Sequence, residues 1–313
     1  MQKRWHLPAA ALFAGCSVVF LLVAVFAVGG NGARTGLPNS LERLYHYDKQ
    51  APFHLIGHVI PNTKVPVVLR SVRFSDGRGG EVFAFVCVPR GTKGPFPGVV
   101  MVPGSFGREA DFLVECVQFA ARGAVAMSMV TPFIQGSQSG PSSAIPSARF
   151  YLRHFEDNVV GIRRALDLLQ SRYDVNRFAL AGYSLGASLS SVVSGVDPRV
   201  HVVGLVAPPS HTHFVPPLQG RTKAEAYRIL APVDPKRYLR QTKAQLFLEM
   251  ARYDPIEIRP EQRAVIEAAG ANARVKWYPT DHRMDFQAWN DLVHWLGREL
   301  GLGPLPSSVG VPA

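Results

Sequence analysis

The sequence predicts an α/β fold, in which helices cover both faces of a mostly parallel central sheet, behind an N-terminal transmembrane or signal helix. Strand and helix patterns alternate through most of the chain, as expected when helices pack on a parallel sheet. Short uninterrupted apolar runs, such as Pro97–Gly104, are typical of strands buried on both faces. The uncharged apolar run Leu7–Val28 would span about 33 Å as a helix, close to the thickness of a bilayer.

The N-terminal residues 1–30 are predicted to be a membrane anchor or a signal segment. Lys3 and Arg4 precede the apolar run, which favours placing the following domain outside the cytoplasm. The run exceeds the apolar core of about 7–15 residues that is usual in signal peptides, so its length favours a retained anchor. The small residues near its end leave cleavage and secretion open. Cys16 resembles a lipid-attachment cysteine, but the apolar run continues beyond it.

The rest of the chain divides into a linker at residues 31–40, one domain at residues 41–300 and a flexible tail at residues 301–313. A composition of 47% hydrophobic and 18% charged residues excludes a disordered chain. The net charge of +11 could attract nucleic acid, but Lys and Arg are scattered and form no basic run. We therefore expect no nucleic-acid partner, and no sequence spacing indicates a cofactor or a metal site.

The elements follow in order from local patterns. Two strands joined at Asp76–Gly80 form an antiparallel hairpin, because Asp and Gly favour a turn between two alternating runs. Gly123 ends an amphipathic helix. The predicted strands are 67–75, 81–89, 97–104, 124–130, 177–182, 200–208, 244–250 and 274–280, and the predicted helices are 111–123, 158–173, a segment from about residue 187, and 286–300.

The motif Gly182-Tyr183-Ser184-Leu185-Gly186 lies between a predicted strand and a predicted helix. Glycines two residues either side of a serine permit a tight strained turn, since larger side chains there would collide with the strand and helix. Such a turn exposes the serine hydroxyl at a helix N-terminus, where free N–H groups favour developing negative charge. Ser184 is therefore the candidate nucleophile.

A serine nucleophile needs a base, and the base needs an acid that orients it. With this elbow the order along the chain is serine, acid, histidine. His282 follows the last predicted strand, whereas His294 lies within a helix, and His211 and His213 precede the strand expected to carry the acid. The acid assignment is Asp254, which follows the strand 244–250; Glu257, Asp281 and Asp285 are its rivals.

The oxyanion of an acyl-transfer reaction needs two backbone N–H donors. One is expected from Leu185, directly after the nucleophile, and the other from the loop after the strand 97–104. Ser105 is the first choice in that loop and Phe106 the second. A disulfide between Cys87 and Cys116 stays open outside the cytoplasm.

These residues together resemble the α/β-hydrolase superfamily, and within it the branch of dienelactone-hydrolase-like proteins and secreted esterases. The likeness runs from about Leu41 to Leu300 and includes the segments "FAARGAVAMSM", "YDVNRFALAGYSLGA" and "ARYDPIEIRP". It implies an α/β-hydrolase fold, with Ser184 as nucleophile, Asp254 as acid and His282 as base. Dienelactone hydrolases carry cysteine where this chain has Ser184, and many relatives carry histidine where this chain has Pro103, so neither lactone specificity nor the loop geometry follows from the resemblance.

The sequence thus predicts a serine hydrolase that cleaves carboxylic esters or thioesters through an acyl-enzyme, tethered to a membrane or exported. Its predicted partners are a small-molecule substrate and, through the N-terminal helix, a membrane. The alternatives are a peptidase or an acyltransferase on the same fold, and a non-catalytic binding protein with a hydrolase-like scaffold.

Overall fold

The computed structural model describes residues 39–61, 65–136, 140–210, 220–306 and 309. The predicted anchor and most of the linker lie outside these residues and stay predictions. Cys16, and the two histidines that were set aside as bases, His211 and His213, lie outside them as well. The chain divides into two compact units, Met1–Arg34 and Thr35–Ala313, and all of the described residues belong to the second. Among the described helices, none is long and apolar enough to cross a membrane.

A single sheet forms the centre of the described domain. Its strands are β1 (Ile56–Ile60), β2 (Val67–Ser75), β3 (Glu81–Pro89), β4 (Phe96–Val102), β5 (Val125–Val130), β6 (Val175–Tyr183), β7 (Val200–Val206), β8 (Gln245–Ala251) and β9 (Ala273–Tyr278). Across the sheet the order is β1-β2-β3-β5-β4-β6-β7-β8-β9. Six neighbouring strands, β5, β4, β6, β7, β8 and β9, run parallel to one another. The strands β1, β2 and β3 add an antiparallel edge.

The predicted hairpin is confirmed, since β2 and β3 pair antiparallel with Ser75 opposite Glu81. Asp76 makes the turn, because its Oδ1 accepts hydrogen bonds from the N–H groups of Arg78 and Gly80. Gly77 and Gly79 have positive φ angles of 81° and 93°, which glycine adopts at little cost.

The helices of the described domain are α1 (Asn39–Leu44), α2 (Leu113–Ala121), α3 (Ala144–Tyr173), α4 (Leu185–Val196), α5 (Gly220–Leu230), α6 (Pro235–Leu239), α7 (Arg259–Ala269) and α8 (Phe286–Glu299). They cover both faces of the sheet. Along β4, Val100 and Val102 pack in a core with α3 and α4, whereas Val99 and Met101 pack in a second core with α2 and α8. Successive residues of a strand point to opposite faces, so β4 is buried on both sides and its sequence is apolar without alternation.

The predicted fold class is confirmed as an α/β-hydrolase-like sheet with helices on both faces. Three details differ from the prediction. The helix predicted at 158–173 begins earlier, at Ala144. Pro146 does not interrupt it, because it lies in the first turn, where a proline costs no hydrogen bond. Helix α4 begins at Leu185 and not near Ala187. The predicted elements also do not include α1, β1, α5, α6 and α7.

Candidate active site

Ser184 lies on a strained turn between β6 and α4. Its φ and ψ angles are 50° and −114°, which few residues other than glycine adopt. A Cβ atom at Gly182 would overlap the backbone of Gly186, and a Cβ atom at Gly186 would overlap the carbonyl of Val102. The two glycines of the motif are therefore required by close backbone contacts, as the sequence analysis proposed for this turn.

The turn brings Ser184 into a chain of hydrogen bonds with two loop residues. Ser184 Oγ lies 2.9 Å from His282 Nε2, and His282 Nδ1 lies 2.8 Å from Asp254 Oδ2. The three residues follow the carboxyl ends of β6, β9 and β8, which meet at one edge of the sheet because the strands are parallel. His282 is largely buried and the side chain of Asp254 is almost fully so.

Asp254 is held as a carboxylate by its neighbours. Its Oδ1 accepts hydrogen bonds from the N–H groups of Ile256 and Glu257, at 2.8 and 3.0 Å. Burial by itself raises the pKa of Asp254, but the hydrogen bonds from His282 and these two N–H groups outweigh it, and the pKa lies below its ordinary value. Asp254 is therefore ionised at neutral pH and can orient the imidazole of His282.

The rival acids of the sequence analysis make other contacts. Glu257 is buried, and its Oε2 accepts a hydrogen bond from the N–H of Ser210 at 3.1 Å. Asp281 accepts from the N–H of Arg283 at 2.9 Å. Asp285 is the N-cap of α8 and accepts from the N–H of Ala288 at 3.0 Å. Asp281 and Asp285 thus support the backbone close to them in sequence, whereas Glu257 holds a loop 47 residues away.

His294 does not belong to this site. It lies exposed on α8, where its Nδ1 is 2.7 Å from the carbonyl of Asn290 in the preceding turn.

Ser105 and Leu185 lie next to the serine turn, since Leu185 directly follows Ser184 and a Cβ atom at Gly104 would lie 3.3 Å from Ser184 Cβ. Both residues line one cavity, and within the described residues neither N–H has a hydrogen-bond acceptor. Phe106 was the second choice for a donor in the same loop. Its N–H donates to the carbonyl of Ile134 at 2.6 Å, so it is not available to a substrate. Ser105 and Leu185 thus stay the candidate oxyanion donors.

Tyr183 supports the loop that carries His282, a contact that the sequence analysis missed. Its hydroxyl donates to the carbonyl of His282 at 3.1 Å, and the two ring centroids are 5.7 Å apart. Trp289 of α8 packs on the other side of the tyrosine ring, with centroids 5.5 Å apart. Tyr183 lies inside the serine motif, but nothing local in the sequence indicates a contact with a residue so distant along the chain.

A second buried carboxyl lies on β8, the strand that leads to Asp254. Glu249 is fully buried, and Tyr278 Oη lies 2.6 Å from its Oε1 and 2.8 Å from Asp291 Oδ2. Burial raises the pKa of Glu249 to about 8. At neutral pH the protonated carboxyl therefore donates to Tyr278, which leaves the tyrosine proton for Asp291.

The two cysteines of the described domain are free. Cys87 and Cys116 are buried, with Cys116 Sγ 3.3 Å from the carbonyl of Ala126. Burial raises the pKa of the Cys116 thiol. The disulfide that the sequence left open is therefore not formed in the structure. Across the described ranges, no group of three or more His, Cys, Asp or Glu side chains is arranged to hold a metal ion.

The sheet order and the strained serine turn are those of the α/β-hydrolase fold. The sequence model of the dienelactone hydrolase family matches residues 82–291, more than half of the chain. The chain belongs to the dienelactone hydrolase family. Membership identifies it as a carboxylic ester hydrolase, as the sequence predicts. No curated protein matches the chain in sequence.

Solved structures share the fold at low sequence identity. An acetyl xylan esterase from Paenibacillus sp. R4 is 20% identical with a TM-score of 0.67, over 83% of this chain and 92% of that one. Acetyl xylan esterase 1 from Thermoanaerobacterium sp. JW/SL YS485 is 15% identical with a TM-score of 0.68, over 85% and 95%. A cold-adapted esterase from an Arctic intertidal metagenomic library is 15% identical with a TM-score of 0.53, over 78% and 97%.

Proposed function

We propose that the protein is a serine hydrolase that cleaves carboxylic esters or thioesters through a covalent acyl-enzyme, with Ser184, His282 and Asp254 as its catalytic residues. The observation that carries the proposal is the unbroken chain of hydrogen bonds from Ser184 Oγ through His282 to Asp254, at 2.9 and 2.8 Å. These distances lie within the reach that a general base needs.

The reaction begins when Ser184 Oγ attacks the carbonyl carbon and its proton passes to His282 Nε2. Asp254 holds the imidazole in the tautomer that leaves Nε2 free to accept, and it stabilises the imidazolium that forms. The carbonyl oxygen becomes an oxyanion, which accepts hydrogen bonds from the N–H groups of Ser105 and Leu185. The tetrahedral intermediate then expels the alcohol or thiol, which takes the proton from His282.

The second half of the reaction repeats these steps with water. His282 accepts a proton from a water molecule while the water oxygen attacks the acyl-enzyme carbonyl. Collapse of the second intermediate releases the carboxylic acid, and the proton on His282 returns to Ser184 Oγ. The positions of Ser184 and His282 therefore serve both halves without rearrangement of the protein backbone.

For the location of the protein, we propose that residues 1–30 hold the catalytic domain at the outer face of a membrane, or direct its export if they are cleaved. The uncharged run Leu7–Val28 and the preceding Lys3 and Arg4 support this proposal.

The proposed function is tested by removing the nucleophile. Ser184→Ala should lower ester hydrolysis by about four decades, since the covalent step is lost. Ser190→Ala is the matched control, because Ser190 lies buried on the same helix α4 and its hydroxyl has no hydrogen-bond partner in the described residues. The control should keep its ester hydrolysis. Full activity in Ser184→Ala would contradict the proposal, and amide cleavage without ester or thioester hydrolysis would indicate a peptidase.

A further inference from the structure

A cavity of about 240 Å³ lies beside the candidate oxyanion donors. Ser105 and Leu185 are among the residues that line it. Four aromatic rings contribute to its walls, and they come from the oxyanion loop, from the loop after β5 and from α3: Phe106, Phe133, Phe150 and Tyr151. A binding site next to a reacting carbonyl that is lined in this way selects an apolar group of the substrate.

Three of the four rings, those of Phe133, Phe150 and Tyr151, are held by ring contacts before any substrate binds. The ring of Phe133 lies 5.5 Å from that of Tyr151 and stacks on His154 at 5.3 Å, and the ring of Phe150 lies 4.2 Å from His154. Burial lowers the pKa of His154, so its imidazole is neutral at neutral pH and behaves as another ring. A site that is already ordered loses less entropy when it binds a ligand.

Two glycines allow the rings to occupy these positions. A Cβ atom at Gly136, where φ is 71°, would lie 2.5 Å from the ring of Phe106. A Cβ atom at Gly140 would lie 2.8 Å from the ring of Phe150. A side chain at either position would displace one of the aromatic rings that line the cavity.

The volume fits one ring with a short chain. An apolar cavity of about 150 Å³ is enough to bind benzene. The cavity of about 240 Å³ therefore has room for a ring and for the few carbon atoms that connect it to the carbonyl. Aromatic walls favour an aromatic ring over an aliphatic one, because edge-to-face and offset ring contacts add to the burial of apolar surface.

The position of His282 decides which side of the ester enters the cavity. His282 must give its proton to the leaving oxygen, so the leaving group lies on the His282 side of Ser184. Ser105 and Leu185 line the cavity, whereas His282 does not. The group in the cavity is therefore the acyl group.

We propose that the preferred substrates are esters of arylalkanoic acids, with the aromatic ring of the acyl group bound in this cavity. The proposal rests on the proposed serine hydrolase function and adds the substrate class and the orientation.

Two isomeric esters test the orientation on the full-length protein. Methyl 3-phenylpropanoate carries its ring on the acyl side, and 2-phenylethyl acetate carries the same ring on the alcohol side. Both release a primary alcohol, so their intrinsic reactivities are alike. Titration of the released acid should give kcat/KM about tenfold or more higher for methyl 3-phenylpropanoate. Equal values, or a preference for 2-phenylethyl acetate, would overturn the orientation.

Methyl 3-cyclohexylpropanoate tests whether the ring must be aromatic. It should react about threefold or more slowly than methyl 3-phenylpropanoate, because it lacks the ring–ring contacts. Equal rates would show that the cavity selects apolar volume alone and would refute the aromatic preference.

A matched pair of variants links the preference to the cavity. Ser147 lines the cavity from α3, whereas Ser142 is exposed and does not line it. Ser147→Phe should lower the ratio of kcat/KM for methyl 3-phenylpropanoate over methyl acetate by about tenfold, since the new ring fills the volume. Ser142→Phe should leave the ratio unchanged.

An unchanged ratio in Ser147→Phe would place the acyl group elsewhere and overturn the proposal. Failure of the proposed function would look different, because methyl acetate itself would then not be hydrolysed, or Ser184→Ala would hydrolyse it as well as the wild type.

Discussion

The buried Glu249 predicts how the stability of the protein depends on pH. Its pKa is raised from 4.5 to about 8 in the folded protein. Between these two values the folded state binds more protons than the unfolded state, so the free energy of unfolding falls as the pH rises. The loss begins above the unfolded pKa and is complete once the pH has risen through the folded one.

The expected size follows from the shift. At about 1.4 kcal/mol for each pKa unit, the full loss is about 5 kcal/mol. About 2 to 3 kcal/mol of it falls between pH 6 and pH 9. Glu249→Gln removes the titration, retains a donor toward Tyr278 Oη and keeps nearly the same volume. The variant should therefore lose about 2 to 3 kcal/mol less than the wild type over this interval.

Urea unfolding followed by tryptophan fluorescence at pH 6 and pH 9 measures this difference. Glu267→Gln is the control, because it removes a carboxylate from the exposed surface of α7; its stability should change with pH as that of the wild type does. Equal losses in the wild type and Glu249→Gln would refute the protonated carboxyl and the hydrogen-bond order proposed for Glu249, Tyr278 and Asp291.

Three further predictions concern the site and the location. Asp254→Asn should lower kcat by about two to four decades, because the imidazole loses its orienting acid. Asp281→Asn should keep kcat within about tenfold of the wild type. The reverse result in steady-state kinetics would make the acid assignment wrong. Tyr183→Phe should lower kcat about fivefold with little change in KM, as expected for one lost hydrogen bond to the His282 carbonyl; an unchanged kcat would show that the contact does not position His282. In its native host the protein should stay with membranes after a carbonate wash with Met1–Val28 attached, and a soluble extracellular form that begins near Asn31 would show cleavage instead.

The fold was predictable where the sequence carries a strong pattern. Strand β4 is buried on both faces and is apolar throughout, and the β2–β3 turn has Asp and Gly where the backbone requires them. Strand β1 was missed because it lies exposed at the sheet edge and its residues do not alternate. The first half of α3 was missed because it follows a segment rich in Ser, Gly and Pro, and Pro146 resembles a helix breaker.

The candidate site was predictable in its residues but not in its surroundings. The serine motif and the order of the strand ends indicated Ser184, Asp254 and His282, and the structure brings these three side chains together; their catalytic roles stay predictions. The contact of Tyr183 with the His282 loop and the aromatic cavity join segments far apart in sequence. No local spacing encodes such contacts, because they depend on how the loops pack on one another.

The acyl-enzyme claim is tested most directly by covalent labelling of the full-length protein. A fluorophosphonate ester reacts with an activated serine and stays attached, so peptide mass spectrometry identifies the residue that carries it. We expect one phosphonate adduct, on Ser184, and loss of ester hydrolysis in proportion to labelling. An adduct on another serine, or full labelling with ester hydrolysis intact, would contradict it.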